Sequence, residues 1–115
     1  MTPQIWHNPR CSKSRQTLAL LEENGIIPEI VLYKDNAPSE AEIRTVLTAL
    51  GVSAAQLIRK NDAAFKDLNI ALESDDETLI AAMATHPAII ERPIVRVGNQ
   101  AALGRPPEAV LALFK

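Results

Sequence analysis

The sequence predicts an α/β fold, a small mixed β-sheet flanked by helices in the order βαβ, helical insert, ββα. Three observations carry this. Gln4-Ile5-Trp6-His7 reads as a strand that turns at Asn8-Pro9 into a helix and then a second strand. Helix-capping signals recur through the middle of the chain, and near the end a Gly-led two-residue turn separates two short apolar runs.

The first helix is expected over Ser12 to Asn24, with Thr17, Leu18 and Leu21 at helical spacing and Gly25 at the left-handed position that ends it. Pro28-Glu29-Ile30-Val31-Leu32-Tyr33 is a β-branched and aromatic run that suits a buried strand. Between Ser39 and Gly51, Ser39 with Glu42 forms a capping box, and Ile43, Val46, Leu47 and Leu50 make one apolar stripe. Ser53 can cap a short helical turn through Leu57, and Phe65 to Leu72 reads as an irregular or briefly helical connector. Ser74 with Glu77 reads as a second capping box opening a helix with Leu79, Ile80 and Met83, which Pro87 ends. Ile94 to Val97, Gly98-Asn99 and Gln100 to Leu103 form a hairpin. Pro106-Pro107 then starts a last helix whose buried face is Val110, Leu111 and Phe114. A strand-helix-strand unit followed by a hairpin and a helix is a thioredoxin-like arrangement.

At 115 residues the chain is the size of one domain, so residues 1–115 are read as a single one. Hydrophobic residues at 47% and charged residues at 23% exclude a disordered chain. A net charge of −2 gives no general attraction to nucleic acid or anionic membranes, so any anion site must be a local cluster of arginines. Met1 to Arg10 lacks the pattern of a signal peptide, and the apolar run Leu79 to Ala84 is too short to span a bilayer. The expected location is cytoplasmic and the expected state monomeric.

A single cysteine excludes an internal disulfide and a zinc site built on several thiolates. His7 and His86 form no ligand cluster with carboxylates at usable spacing, so no metal and no tightly bound cofactor is expected. Cys11 is then either inert packing or a reactive centre. Its place where the turn meets the first helix exposes it to unsatisfied N–H groups and the positive end of the helix dipole, which lower a thiol pKa. Arg10, Lys13 and Arg15 add positive charge nearby in sequence, and His7 can support the thiolate if its ring turns inward. The bland readings are a half-buried helix-start cysteine, a surface or packing histidine, and a solvated helix entrance.

Two cysteine chemistries fail on spacing. Ser14 stands where a C-x-x-C motif needs its second cysteine, and Arg15 follows Cys11 too closely for a tyrosine-phosphatase loop. What remains is a monothiol enzyme whose disulfide partner comes from another molecule, such as glutathione or a glutaredoxin. An oxyanion substrate would also require guanidinium forks, for which the downstream candidates are Arg59, Arg92 and Arg105. Asp62, Glu91 and Glu108 offer each of them an ordinary ion-pair partner instead.

Ile5-Trp6-His7-Asn8-Pro9-Arg10-Cys11-Ser12-Lys13-Ser14-Arg15, Leu32-Tyr33, Ile58-Arg59-Lys60-Asn61, Glu91-Arg92-Pro93-Ile94-Val95 and Gly104-Arg105-Pro106-Pro107-Glu108 together resemble the ArsC family of arsenate reductases, most closely its short YfgD-like branch. The resemblance runs almost end to end. It implies a thioredoxin-like fold, a Cys11 nucleophile that attacks arsenate, an arginine cage at Arg59, Arg92 and Arg105, and supporting roles for His7, Ser14 and Arg15. It also implies glutathione and glutaredoxin as external thiols and a cis Arg92-Pro93 bond. Where family members carry Cys-Gly-Thr-Ser-Arg, this chain reads Cys11-Ser12-Lys13-Ser14-Arg15, a change that bears on oxyanion fit and on docking of glutathione. Two alternatives stand beside arsenate reduction: a thiol enzyme acting on another oxyanion or a glutathionylated substrate, and a non-enzymatic interaction protein like the Spx regulators, whose usual C-x-x-C switch Ser14 breaks.

Overall fold

A computed structural model describes residues 2–114. The chain divides into two compact units: one runs up to Asn36 and resumes at Arg92, and the other spans Ala37–Glu91.

The first unit holds a four-stranded mixed sheet. Its strands are β1 (Gln4–Trp6), β2 (Glu29–Val31), β3 (Ile94–Val97) and β4 (Gln100–Leu103), in the spatial order β2-β1-β3-β4. β1 pairs parallel with β2 and antiparallel with β3, and β3 pairs antiparallel with β4. Helix α1 (Ser12–Glu23) connects β1 to β2 as the crossover a parallel pair requires. Gly25, at φ 76°, ends it as expected: its N–H donates to the Glu22 carbonyl and that of Ile26 to the Leu21 carbonyl, a Schellman closure. Gly98, at φ 58°, makes the hairpin turn between β3 and β4.

Ile5 faces Val95 across the β1–β3 pair, and with Leu21 of α1 and Val110 they are fully buried. Leu18, Ile26, Ala102, Leu113 and Phe114 pack round this cluster. Helix and sheet thus meet over an apolar layer, which is what fixes the start of α1 relative to the ends of β1 and β3. Gly104 is part of that fixing. A Cβ there would lie 2.5 Å from Thr17 Oγ1 and 2.6 Å from Pro93 Cγ. Thr17 is fully buried and hydrogen-bonded to the Lys13 carbonyl, and a proline ring cannot rotate aside, so neither neighbour can yield. Gly104→Ala is expected to cost about 1–3 kcal/mol by overpacking, read as a lower denaturant midpoint at unchanged slope.

Two expectations are corrected in this unit. The second strand is not buried: β2 is three residues long at the sheet edge, and Ile30 remains 48% exposed. Its apolar composition reflects β propensity, whereas burial is decided by position in the sheet. The last segment, Pro107–Phe114, is a 3₁₀ helix that begins one residue later than Pro106. Ala109 N–H bonds back to the Pro106 carbonyl, an i to i+3 contact that starts the tighter winding. Its buried face centres on Val110, with Leu111 and Phe114 only partly covered.

The second unit is helical. It contains α2 (Glu40–Leu50), α3 (Ala54–Leu57), α4 (Ala63–Lys66), α5 (Asp76–Thr85) and a 3₁₀ turn at Pro87–Ile89. Ser39 and Glu42 form the expected capping box of α2, Ser53 caps α3, and Gly51 closes α2 at φ 69°. Ile43, Val46, Leu57, Leu79, Met83, Ile89 and Ile90 fill the interior of this unit. The connector region contains α4, capped by Asp62 through Ala64 N–H. The cap of α5 is Asp75, which accepts from Thr78 N–H at 2.9 Å, and not Ser74 with Glu77. A carboxylate at that position also meets the helix dipole, and Glu77 pairs instead with Arg44 at 3.1 Å. No helix among the described residues is long and apolar enough to cross a membrane.

Candidate active site

The chain leaves β1 at Trp6 and makes a tight loop before α1. Cys11 N–H donates to the Asn8 carbonyl at 3.0 Å, and Asn8 Oδ1 accepts from Arg10 N–H at 3.0 Å. Cys11 is the N-cap residue of α1, with extended backbone, so its side chain stands over the first turn's free N–H groups. The Ser14 and Lys13 amides lean toward the sulfur without forming a regular capping hydrogen bond, yet both favour the thiolate.

Partial burial raises the Cys11 pKa. Against it act the Ser14 amide, a hydrogen bond from the Arg92 side chain, the Arg92 charge and the Lys13 amide, and the net result lies below the ordinary thiol value. Arg92 therefore supplies positive charge to the sulfur. Among the sequence neighbours expected to supply it, Arg15 donates to the Pro9 carbonyl at 3.1 Å.

Arg105 follows β4 at the same open end of the hairpin where Arg92 precedes β3, with Nη2 3.8 Å from Cys11 Sγ, and its Nε donates to the Arg92 carbonyl at 2.8 Å. The Arg105 guanidinium is thus tied both to the Arg92 backbone and to the sulfur. Arg92 Nε is buried and has no hydrogen-bond partner, a donor left for an acceptor beside the sulfur. The Arg92-Pro93 bond is cis, as the resemblance implies, and so is Arg105-Pro106. Arg59 lies in the helical unit, where Asp62 and Glu91 both pair with it, the latter at 3.6 Å.

His7 is 6% exposed and its Nδ1 is 2.6 Å from Ser14 Oγ. The Ser14 hydroxyl also accepts from Asn8 N–H at 3.0 Å. Burial, and then the charge of Arg15, lower the His7 pKa, so the ring is neutral at neutral pH and adds no positive charge to the site. His7 therefore acts on the loop through Ser14, the residue whose amide faces the sulfur. Because the folded pKa is depressed, protons bind the unfolded chain first, and stability should fall as pH drops below about 6.5 and onward through the folded pKa. In His7→Gln, denaturant midpoints measured between about pH 8 and about pH 5 should decline less steeply than in the native chain.

Sequence reasoning missed Asn8, whose backbone and side chain shape the loop, and Gly104, which seats Arg105. The Asn-Pro pair was a signal for the first, since asparagine side chains bond the backbone two residues on. Nothing local marks the second. Among the described residues no group of three or more His, Cys, Asp or Glu is placed to hold a metal ion.

A lone cysteine on a helix N-terminus, with Arg105 at its sulfur and a four-stranded mixed sheet beneath, defines a thioredoxin-like site. Residues 6–113 match the ArsC family, and the chain belongs to it. It is 50% identical to the protein YfgD of Escherichia coli over 98% of each chain, and 45% identical to the arsenate reductase of Haemophilus influenzae over 99% of this chain and all of that one. The structure of an arsenate reductase from Vibrio cholerae superposes with a TM-score of 0.92 at 46% identity, covering 97% of both chains.

Proposed function

We propose that this chain is an arsenate reductase that works through the Cys11 thiolate, with glutathione and glutaredoxin as external thiols. The observation that carries the reading is the convergence of Arg92 and Arg105 on a cysteine whose pKa is lowered. Relatives at about this similarity that bear the name arsenate reductase support it.

In this reading the thiolate attacks arsenic and an arsenate oxygen leaves as water, giving a Cys11 arsenate ester. The glutathione thiol then displaces a second oxygen, again as water. The glutaredoxin thiolate attacks the glutathione sulfur; the electron pair of the sulfur–arsenic bond stays on arsenic, reducing As(V) to As(III). Arsenite leaves on hydrolysis, Cys11 is restored, and the mixed disulfide holds the two oxidised sulfurs. Arg92 and Arg105 neutralise the anion and hold it for attack, with Arg92 Nε as a ready donor. The resemblance assigns Arg59 to the same cage. Ser14 and His7 keep the loop in register.

The test is NADPH oxidation coupled through glutathione reductase, with purified chain, glutathione, glutaredoxin and arsenate. Turnover that needs all of them is the expected result. No turnover with any component set overturns the reading, and turnover without glutaredoxin overturns its thiol assignment.

A further inference from the structure

A concavity of about 260 Å³ opens beside the cysteine loop, lined by His7, Asn8, Pro9 and Arg10 on one side and by Leu32, Lys34 and Asp35 on the other. Its loop wall ends one residue before Cys11. The second wall is a turn in which Asp35 N–H and Asn36 N–H both donate to the Leu32 carbonyl, so Lys34 and Asp35 are set on a bonded backbone. Arg10, Lys34 and Asp35 are exposed, and among the described residues none of the three has an ion-pair partner.

We infer that this concavity binds the small peptide thiol that reacts at Cys11, taking two carboxylates on Arg10 and Lys34 and one ammonium on Asp35, which is the charge pattern of glutathione. The inference rests on the function proposed above. Two uncompensated cations and one carboxylate complement a ligand with two carboxylates and one ammonium, group for group. Leu32 and Pro9 give apolar surface to the methylene and peptide parts between the charges. The volume lies just under the ~300–1,000 Å³ common for small-molecule sites, which suits a tripeptide lying in an open groove. The ligand's sulfur is left at the Cys11 end of the loop.

Binding is measured by calorimetry on the full chain with S-methylglutathione, which carries the charges and cannot react. Saturable binding is expected, with amide shifts in NMR centred on Arg10, Lys34 and Asp35. Lys34→Glu and Arg10→Glu should each weaken it at least about 10-fold, and the dimethyl ester of the same ligand should bind equally poorly to all three proteins. Circular dichroism of both variants, expected to match the native chain because both positions are exposed, separates loss of the site from loss of fold. No binding to the native chain, or equal binding by the charge-reversed variants, overturns the inference even if arsenate turnover is found. Binding with the expected charge dependence upholds the site even if arsenate is not the substrate.

Discussion

Cys11→Ser is expected to lose at least about three orders of magnitude in arsenate turnover while keeping the native fold and an unfolding free energy within about 0.5 kcal/mol of the native chain's. The size of the loss follows from what the residue does. A serine hydroxyl at the same N-cap position is a good cap, so the helix start does not suffer. Its pKa is far too high for the groups around it to ionise, because the Ser14 and Lys13 amides and Arg92 offset burial by an amount that matters only for a thiol. It also cannot form the sulfur–arsenic bond on which the later thiol steps depend. The variant should still bind sulfate or arsenate, since the arginines are untouched. Turnover in Cys11→Ser above a hundredth of the native rate would mean that the chemistry does not pass through this residue.

The parts of the fold set by neighbours in sequence were legible. The Ser39 and Glu42 box, the Gly25 and Gly51 ends and the Gly98 turn each depend on a few adjacent residues, and each stands where those residues put it. What depended on distant partners was not. Whether β2 is central or at the edge is decided by which strands pair with β1, and an apolar run reads the same in either place. Ser74 and Asp75 are both good caps side by side, and the choice between them falls to the carboxylate because it also meets the helix dipole. At the site the same division holds. That Cys11 would sit at a helix start could be read from Asn8-Pro9, but the cations that reach its sulfur could not. Arg105 is 94 positions away, whereas Arg15, close in sequence, spends its guanidinium on the Pro9 carbonyl.

Arg92→Ala should show what those distant cations contribute, and on two separate scales. The first is the thiol. Arg92 favours the thiolate both by hydrogen bond and by charge, so its removal leaves burial opposed by the two amides and the Arg105 contact alone, and the Cys11 pKa must rise. The rate of alkylation by iodoacetamide against pH should shift its midpoint upward, with a slower reaction at neutral pH and rates that converge above the ordinary thiol value of 9.0. The second scale is the oxyanion. Arsenate turnover should fall about 10²–10³-fold even at a pH where the mutant thiol is ionised, because a donor aimed at the developing charge is gone. Arg105 should hold its place, since it is anchored on the Arg92 backbone carbonyl, which alanine retains. Arg92→Lys separates the two scales: it restores the charge and much of the alkylation profile but not the planar fork, so turnover should recover far less than the thiol pKa does. An unmoved alkylation midpoint in Arg92→Ala would remove Arg92 as the cation that holds the thiolate, and parallel recovery of both measurements in Arg92→Lys would reduce its part in turnover to charge alone.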